Sequence, residues 1–585
     1  MNLFSLVYEK LKESFEKAGF PDADILLRLS DRPDISDYQA NGALSLAKKM
    51  GKNPREIATQ IVQHLADDFF AKVSVDGPGF INLTLSDNTL TKNAFSILSS
   101  ERFGFTLRDG NKRIVVDYGN PNVAKILHAG HIPSANLGNS VIQLCRFAGD
   151  FVVGENYLGD WGRPMGLMIT AMQEKFPDLP YFDENAETFP TEAPFTNDDL
   201  IQMYPEASAR IKTDEVFLNK ARENTRLLQE GHKGYRALWK QFLNISIDTM
   251  KKTYSRLGIE FDVWTGESAA YEGALALADT LKKEGVLKLD DGAWVIPLED
   301  EKTNAPLPPL LMVNSTGGTT YAAADLSTLK RRCDTYHPDV VMYSVDARQS
   351  LHFRQVFSAA KKIGLATGVS LENFAFGTIC GPDHKPFKTR DGGVMSLDNL
   401  IDTVVNSVKK RMDSGEIGKD LSADEKPVIA EKVGVSALKY AGLMNDKIKD
   451  CVLDVDKITQ IEGKTGPYIL YGIVRMRSVL QKAGVSKELT ETPLILTNPA
   501  ERSLLLRLYA FPEIIQSAYD NRAPHIVADY LFKLIQDFNL FYHDCPILSG
   551  SEDNIKQSRL ALLKYTLALS ETMAEILGLM IPEKM

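Results

Sequence analysis

Cysteine is scarce in this sequence, with five among 585 residues and no two of them in a C-x-x-C pair. The scattered positions exclude the common ligand pattern of a structural zinc site, and they also argue against a disulfide framework. We therefore expect reduced thiols and no protein-bound metal.

Long apolar runs are also missing. No stretch approaches the roughly 18 apolar residues that a membrane-spanning helix needs. The N-terminal segment carries Glu9, Lys10, Lys12 and Glu13 within its apolar pattern, so it lacks the uninterrupted apolar core of a signal peptide. We expect a soluble, cytoplasmic protein without a membrane partner.

The composition has no strong bias of charge. The formal net charge is −10, with 44% hydrophobic and 25% charged residues, which is typical of a globular protein. A length of 585 residues predicts roughly three or four domains. The mildly acidic balance does not exclude an RNA partner, because phosphate is bound by a local basic surface rather than by net charge.

One stretch combines three chemical signals. The β-branched run Ile114–Val116 predicts a buried parallel strand, and Gly119-Asn120-Pro121 ends it in a turn. Lys125, His128 and His131 follow at the start of a predicted helix. A helix start presents free N–H groups and partial positive charge, so this turn favours phosphate oxygens.

The order of patterns along the chain predicts three parts. Residues 1–107 show helical patterns and a hairpin of Phe70–Val75 and Gly79–Leu85, which indicates a small α+β domain. Residues 108–432 alternate strands and helices as an α/β nucleotide-binding domain, with an insertion at about 167–225. Residues 433–585 predict an all-α helix bundle, in which Pro467 begins a helix and Gly484 follows its end.

Within the α/β part, further strands are predicted by four apolar or β-branched runs: Phe261–Trp264, Trp294–Pro297, Val340–Val345 and Phe374–Ile379. Helices are predicted over Ala269–Glu284 and Phe353–Ile363. Gly381–Gly393 carries Lys385, Lys388 and Arg390 among glycines and prolines, which predicts a mobile cationic loop. Gly463-Lys464-Thr465 is not a P-loop, because the required glycine five residues before Gly463 is Ile458.

These residues resemble the arginyl-tRNA synthetases, a family of class I aminoacyl-tRNA synthetases. His128-Ala129-Gly130-His131 matches the first class I signature, within the longer match DYGNPNVAKILHAGHIPS. Further matches follow in the order that the family shows: Gly159-Asp160-Trp161-Gly162, Gly266-Glu267-Ser268, Tyr321-Ala322-Ala323-Ala324-Asp325, Asp346–Phe353 and Thr465-Gly466-Pro467-Tyr468. The resemblance implies a Rossmann-like catalytic domain, and an enzyme that couples L-arginine and ATP to arginyl-adenylate and transfers arginine to tRNA(Arg).

The resemblance also implies roles in catalysis. Lys125, His128 and His131 would stabilise the charge that develops toward the leaving diphosphate, together with Mg²⁺ that enters with ATP. The second class I signature is degenerate here and falls on Phe387-Lys388-Thr389-Arg390, where Arg390 replaces its second lysine. ATP would be bound by His128, Gly130, His131, Lys385 and Lys388.

Arginine would be recognised by carboxylates, because a guanidinium is a planar fork of donors. Glu267, Asp325 and the aromatic Tyr321 are the candidates for the guanidinium, and Asp117, Asn122 and Gln349 for the amino and carboxylate ends. In the C-terminal bundle the resemblance implies contacts to the anticodon by Tyr468, Tyr471, Tyr542, Arg475 and Arg477. The N-terminal domain would touch the tRNA elbow, and we expect a monomer.

Two other functions fit part of the pattern. A small-molecule nucleotidyltransferase also uses an H-x-G-H turn, although such enzymes lack a large helical C-terminal domain. A non-catalytic RNA-binding paralogue would keep the fold, although Lys125, His128 and His131 are intact. Arginine-dependent ATP–diphosphate exchange, measured with and without tRNA, separates these from an arginyl-tRNA synthetase.

Overall fold

The structure is a computed structural model that describes residues 2–65, 68–107, 110–299, 305–385, 387, 395–549 and 552–585. By their internal contacts the residues form two compact units. The first comprises Met1–Gly110, Gly415–Val433 and Gln460–Met585, and the second comprises Asn111–Ser414 and Gly434–Thr459. Among the described residues, no helix combines the length and the apolar character required to cross a bilayer.

The N-terminal part is an antiparallel sheet with helices, as predicted. Its helices are α1 (Leu3–Lys17), α2 (Gly42–Met50), α3 (Pro54–Val62), α4 (Asp87–Lys92) and α5 (Ala94–Leu98), and its strands are β1 (Leu27–Leu29), β2 (Tyr38–Ala40), β3 (Phe70–Asp76) and β4 (Phe80–Leu85). The strand order is β1-β2-β4-β3. The predicted hairpin is confirmed, and its turn includes Gly77 at φ 56°. The short strands β1 and β2 carry no periodic signal and were not predicted.

The second unit is built on a five-stranded parallel sheet. Its strands are β5 (Arg113–Asp117), β6 (Phe151–Leu158), β7 (Val263–Gly266), β11 (Val340–Tyr343) and β12 (Ser370–Asn373), in the order β12-β11-β5-β6-β7. β5 lies at the centre, and the chain leaves β5 for α6 on its way to β6, so the sheet changes winding direction beside β5. Ligands of such sheets bind at the carboxyl ends of the strands near this point.

Helices cover this sheet and fill the segment between β6 and β7. They are α6 (Ile132–Ala148), α7 (Arg163–Lys175), α8 (Asn197–Arg210), α9 (Glu215–Gln229), α10 (Lys233–Arg256), α11 (Glu267–Lys283), α12 (Tyr321–Tyr336), α13 (Ser350–Lys362) and α14 (Leu397–Asp413). The predicted helices over Ala269–Glu284 and Phe353–Ile363 are confirmed by α11 and α13. Short 3-10 helices lie at Ala129–His131, Pro180–Phe182 and Ala347–Gln349.

Two of the predicted strands differ in the structure. The run Trp294–Pro297 lies in β9 (Ala293–Glu299), which pairs antiparallel with β8 (Lys288–Asp290) and β10 (Pro306–Val313) rather than joining the parallel sheet. Residues 374–378 form no continuous strand between β12 and the short β13 (Ile379–Cys380), and Phe376 makes only an isolated parallel bridge with Asp346. An apolar run predicts a buried strand, but its partner is decided by distant residues.

The C-terminal part is helical, as predicted. After α15 (Glu425–Leu443), β14 (Cys451–Val452) and α16 (Val455–Ile458), it comprises α17 (Gly466–Ala483), α18 (Pro499–Tyr509), α19 (Phe511–Asp520), α20 (Pro524–Asp544) and α21 (Asp553–Ile576). Thr465 caps the start of α17, and Gly484 ends it at φ 68°. The Gly-Lys-Thr triplet therefore leads into a capped helix and is not a P-loop, and Lys464 pairs with Asp529 at 2.9 Å.

The N-terminal sheet packs directly on the C-terminal helices within the first unit. Arg502 of α18 donates to both oxygens of Asp37, at 2.9 and 2.8 Å, and to the carbonyl of Leu85 at 2.9 Å. The Tyr509 hydroxyl donates to the carbonyl of Leu90 at 2.5 Å. Asp37 is almost fully buried, so this fork is a desolvated ion pair of the kind that fixes geometry.

Candidate active site

The turn after β5 is held in an unusual backbone conformation. Gly119 and Asn120 have φ values of 93° and 51°, and Gly and Asn are the residue types that tolerate positive φ. The Gly119 N–H donates to Ser134 Oγ at 2.9 Å, and Ser134 Oγ donates to the Ser344 carbonyl at 2.9 Å. The turn is thereby fastened to the first turn of α6 and to the residue after β11.

The two signature histidines are locked against each other. His128 Nδ1 accepts from the Gly130 N–H at 3.1 Å, and the His128 N–H donates to His131 Nδ1 at 3.1 Å. The ring centroids are 4.0 Å apart. A Cβ on Gly130 would lie 2.9 Å from His128 Cε1, so only glycine leaves room for the ring. With its Nδ1 used as an acceptor, His128 has Nε2 as its remaining donor.

Burial makes both imidazoles neutral near pH 7. It lowers the pKa of His128, with Lys125 as the second cause, and it lowers the pKa of His131 to about 4 together with the neighbouring His128. Neutral imidazoles at this position are available as hydrogen-bond donors and carry no fixed charge. Lys125 supplies positive charge there, and its Nζ is 4.5 Å from the ring centroid of Tyr204 on α8.

The second signature loop begins and ends beside the histidine turn. The Met395 N–H donates to the Phe387 carbonyl at 3.4 Å, the Ala129 N–H donates to the Met395 carbonyl at 3.4 Å, and the Leu397 N–H donates to the Leu127 carbonyl at 2.8 Å. Lys388 and Arg390 lie outside the described residues. Lys385 is exposed, and its carbonyl accepts from the Gly381 N–H at 2.9 Å.

Asp160 and Glu267 follow the carboxyl ends of β6 and β7, and together with Asp325 of α12, which acts electrostatically on Glu267, they form an acidic cluster. Asp160 is buried and accepts from the Ser268 N–H at 2.9 Å and from Ser268 Oγ at 2.6 Å. Glu267 begins α11, and burial, Asp160 and Asp325 raise its pKa to about 8. Carboxylates that repel one another in this way are relieved by a cationic ligand, and a guanidinium fits because it is planar and donates from five N–H groups.

Tyr321 lies in the first turn of α12, one turn before Asp325. Its side chain is largely exposed, at 71%. Partial desolvation and the charge of Glu267 raise its pKa, so the phenol stays protonated at neutral pH. Tyr321 therefore offers an aromatic ring and a hydroxyl donor close enough to the acidic cluster to feel the charge of Glu267.

Asp117, predicted to bind the amino end of arginine, is buried at the end of β5 in an ion pair that the sequence analysis missed. Arg332 of α12 is fully buried and donates to Asp117 Oδ2 at 2.5 Å and to Glu155 Oε2 at 2.7 Å. Arg331 and Thr265 also donate to Glu155. Two features of the sequence could have indicated this buried ion pair. Arg332 follows Asp325 by seven residues and so shares its helix face, and Glu155 interrupts an apolar strand.

The structure places the remaining arginine candidates at different depths. Asn122 is half-buried and forms a parallel bridge with Gly159, where a Cβ would lie 2.3 Å from Asn122 Oδ1. Gly159 therefore makes room for this amide. Gln349 is exposed at the end of the 3-10 helix before α13. A further residue that sequence reasoning missed, His352, contacts Asp325 at 2.6 Å.

The C-terminal candidates meet across two helices. Asn539 of α20 donates to the Tyr468 hydroxyl at 2.9 Å and accepts from Arg475 Nη1 at 3.1 Å. Arg475 Cζ lies 4.6 Å from the ring centroid of Tyr471 and 5.6 Å from that of Tyr542, which is 41% exposed. Four of the five predicted residues, Tyr468, Tyr471, Arg475 and Tyr542, thus form one aromatic and cationic surface.

Arg477 behaves differently from Arg475. Its guanidinium pairs with Glu571 of α21 at 2.7 Å and donates to the Pro582 carbonyl at 3.3 Å. Glu571 also binds Lys487 at 3.2 Å. In this arrangement Arg477 fastens α17 to α21 and to the chain end.

The fold and this site together define a class I aminoacyl-tRNA synthetase: a parallel sheet, a neutral histidine pair at the start of the helix that follows its central strand, and a second signature loop anchored beside it. The family model for the tRNA synthetases class I (R) catalytic domain matches residues 94–455. The model for the arginyl tRNA synthetase N terminal domain matches residues 5–85, and the DALR anticodon binding domain matches residues 469–585.

The chain belongs to the arginyl-tRNA synthetase family. It is 39% identical to an arginine–tRNA ligase of Alkaliphilus oremlandii over 579 residues, which cover 98% of each chain. It is also 39% identical to an arginine–tRNA ligase of Francisella tularensis over 594 aligned positions, which cover 100% of each chain.

Solved structures share the fold. The arginyl-tRNA synthetase of Plasmodium falciparum superimposes with a TM-score of 0.81 at 23% identity, over 100% of this chain and 99% of that chain. The arginyl-tRNA synthetase of Thermus thermophilus gives a TM-score of 0.79 at 21% identity, over 100% of each chain. At 21–23% sequence identity, these superpositions establish a shared fold and nothing further.

Proposed function

We propose that this chain activates L-arginine with ATP and transfers the arginyl group to the 3' end of tRNA(Arg). A carboxylate oxygen of arginine attacks the α-phosphorus of ATP, and the bond to the leaving diphosphate breaks. A hydroxyl of the terminal ribose of tRNA then attacks the carbonyl carbon of the adenylate, AMP leaves, and the hydroxyl proton is released. Family membership supports this reaction, and the acidic cluster of Glu267, Asp160 and Asp325 is the observation that carries the choice of arginine.

In the first step the histidine turn would bind the phosphates of ATP. His128 and His131 are neutral, so each contributes a hydrogen-bond donor, while Lys125 contributes the charge. Gly130 has no side chain and lets the phosphates approach the backbone. Mg²⁺ would enter with ATP as part of the substrate and neutralise charge on the leaving diphosphate.

The loop of the second signature would complete the phosphate site. Its anchoring at Met395 and Leu397 to the backbone of 127–129 supports this placement. Lys385, Lys388 and Arg390 would add cations there, and Lys125 would compensate for the lysine that Arg390 replaces. Positioning and charge are sufficient for this chemistry, since no side chain has to transfer a proton.

Arginine would lie with its guanidinium between Glu267 and Asp325 and against Tyr321. The amino and carboxylate ends would reach Asn122, Gln349 and Asp117. Asp117 keeps Oδ1 without a hydrogen-bond partner among the described residues, although its other oxygen is bound to Arg332. An ammonium group of the substrate is the type of donor that such an oxygen accepts.

The tRNA would contact both ends of the chain. We propose that residues 1–107 touch the elbow, residues 108–432 hold the acceptor end, and residues 433–585 read the anticodon. The surface of Tyr468, Tyr471, Arg475 and Tyr542 offers rings for stacking and a guanidinium for phosphate, which supports the last role. We further propose a monomer that works in the cytoplasm.

The test is ATP–diphosphate exchange and tRNA charging with each of the twenty amino acids. We expect exchange that depends on arginine and on added tRNA, and charging with arginine alone. Exchange that ignores arginine would indicate a small-molecule nucleotidyltransferase instead. tRNA binding without any exchange or charging would indicate a non-catalytic paralogue.

A further inference from the structure

His352 lies against the acidic cluster from a separate helix. It is the third residue of α13, and its Nε2 is 2.6 Å from Asp325 Oδ2 on α12. The His352 side chain is 34% exposed and that of Asp325 is 22% exposed. The contact is therefore half-buried beside the site, not a solvated surface pair.

The His352 ring is braced from its own helix. It meets the buried ring of Phe353 edge to face, with centroids 5.4 Å apart, and Phe353 packs on Tyr343 of β11 at 4.8 Å. An imidazole held on one side by a ring and on the other by a short hydrogen bond has few rotamers left. The Asp325 carboxylate is restricted in turn, because its Oδ2 is hydrogen-bonded to His352.

We propose that His352 is a positioning residue for arginine recognition, which holds the Asp325 carboxylate so that its second oxygen faces the guanidinium. The inference rests on the role proposed above for Asp325. It goes further because it assigns part of the selectivity for arginine to a hydrogen-bond donor on α13 that does not contact the substrate.

The charges of the cluster give the reason for such a donor. Asp160 and Asp325 both place negative charge near Glu267, and the Asp325 side chain is 22% exposed, so an Asp325 carboxylate without a donor would turn toward solvent in the absence of ligand. Asp160 is held by Ser268, whereas Asp325 is held by His352. Recognition of a planar fork requires its acceptors in place beforehand, because ordering them on binding costs affinity.

The experiment compares four variants with the wild-type enzyme in steady-state charging of tRNA, with KM measured for arginine and for ATP. H352A removes the donor, and H352N places an amide too short to reach Asp325. H352Q returns an N–H at the reach of Nε2. Q355A is the matched control: it frees the same helix from the carbonyls of residues 308 and 309, which Gln355 binds, without touching Asp325.

We expect H352A and H352N to raise KM for arginine about tenfold, the effect of one lost hydrogen bond to a charged group. KM for ATP should stay within about twofold, since its site is separate from this contact. H352Q should return KM for arginine to within about threefold of wild type. Q355A should match wild type.

Equal KM values for H352A and wild type would overturn the inference. So would a rise for Q355A that equals the rise for H352A, or a failure of H352Q to improve on H352N, because both results indicate a general effect of the helix. If H352A does not fold, H352N and H352Q carry the same comparison. D325N tests the proposed role of Asp325 separately from that of His352. If D325N leaves KM for arginine unchanged, Asp325 does not bind arginine. If D325N raises KM for arginine and H352A does not, only the role of His352 is overturned.

Discussion

If Glu267 binds the guanidinium as proposed, we expect arginine binding to depend on pH. Its pKa is raised to about 8 by burial and by Asp160 and Asp325, so most of the free protein carries a neutral Glu267 at pH 7. A guanidinium needs the ionised form, so the proton must leave when arginine binds. Because the protonated form is the one that excludes the ligand, affinity must rise as pH rises toward 8 and level off above it.

The size of the effect follows from the pKa. If only ionised Glu267 binds, the apparent dissociation constant scales with the inverse of the ionised fraction, which falls from about one half at pH 8 to about 3% at pH 6.5. Affinity for arginine should therefore rise roughly 15-fold over this interval. Binding at pH 7 should release about 0.9 proton per arginine.

Isothermal titration calorimetry in buffers of different ionisation enthalpy measures both quantities. E267Q should weaken binding about tenfold to a hundredfold at pH 8, as expected for a lost hydrogen bond to a charged group, and should abolish the pH dependence. E272Q removes an exposed carboxylate from the same helix and should behave as wild type. No proton release at pH 7, or the same pH dependence in E267Q, would refute the reasoning.

Three further outcomes are expected. G130A should lower kcat at least tenfold while tRNA binding persists, because a Cβ would lie 2.9 Å from His128 Cε1 and displace the ring; normal kcat would contradict the geometry. H128A should reduce adenylate formation by a similar or larger factor and leave tRNA affinity nearly unchanged, as exchange and filter-binding assays would show. Burial lowers the pKa of Lys439 to about 7 while its Nζ donates to the Leu257 carbonyl at 2.8 Å, so the unfolded chain binds more protons above pH 7 and stability should rise from pH 7 to 9. K439M should flatten that rise by about 1.4 kcal/mol per pH unit in urea unfolding, and an unchanged slope would exclude Lys439 as its source.

Some of the architecture was available from local pattern. The β-branched run before Gly119 predicted β5, and the turn residues predicted where it ends, because strand formation and positive φ depend on neighbouring residues. The start and end of α17 were predicted for the same reason, by Pro467 and Gly484. The histidine turn belongs to this class, since its bonds join residues two or three apart.

Other features depend on residues that are far apart in the chain. Trp294–Pro297 has the composition of a buried strand, but it pairs with β10 in an antiparallel sheet and does not join the parallel sheet. Its composition does not record which strand it will pair with. The pKa of His131 is lowered to about 4 by burial in the folded chain and by the neighbouring His128, and the burial depends on residues that are distant in sequence. Neither the strand pairing nor the burial has a local cause.

Short-range backbone preferences and side-chain chemistry account for the strand, turn and helix of the signature, the helical C-terminal part and the residue types that suit ATP and arginine. These features could therefore be predicted from the sequence. The contact of Arg332 with Asp117 across 215 positions of the chain, and that of His352 with Asp325, exist only in the folded protein. Such pairs arise where a helix packs on a strand or on another helix that is distant in the chain, and no local period predicts which elements will meet.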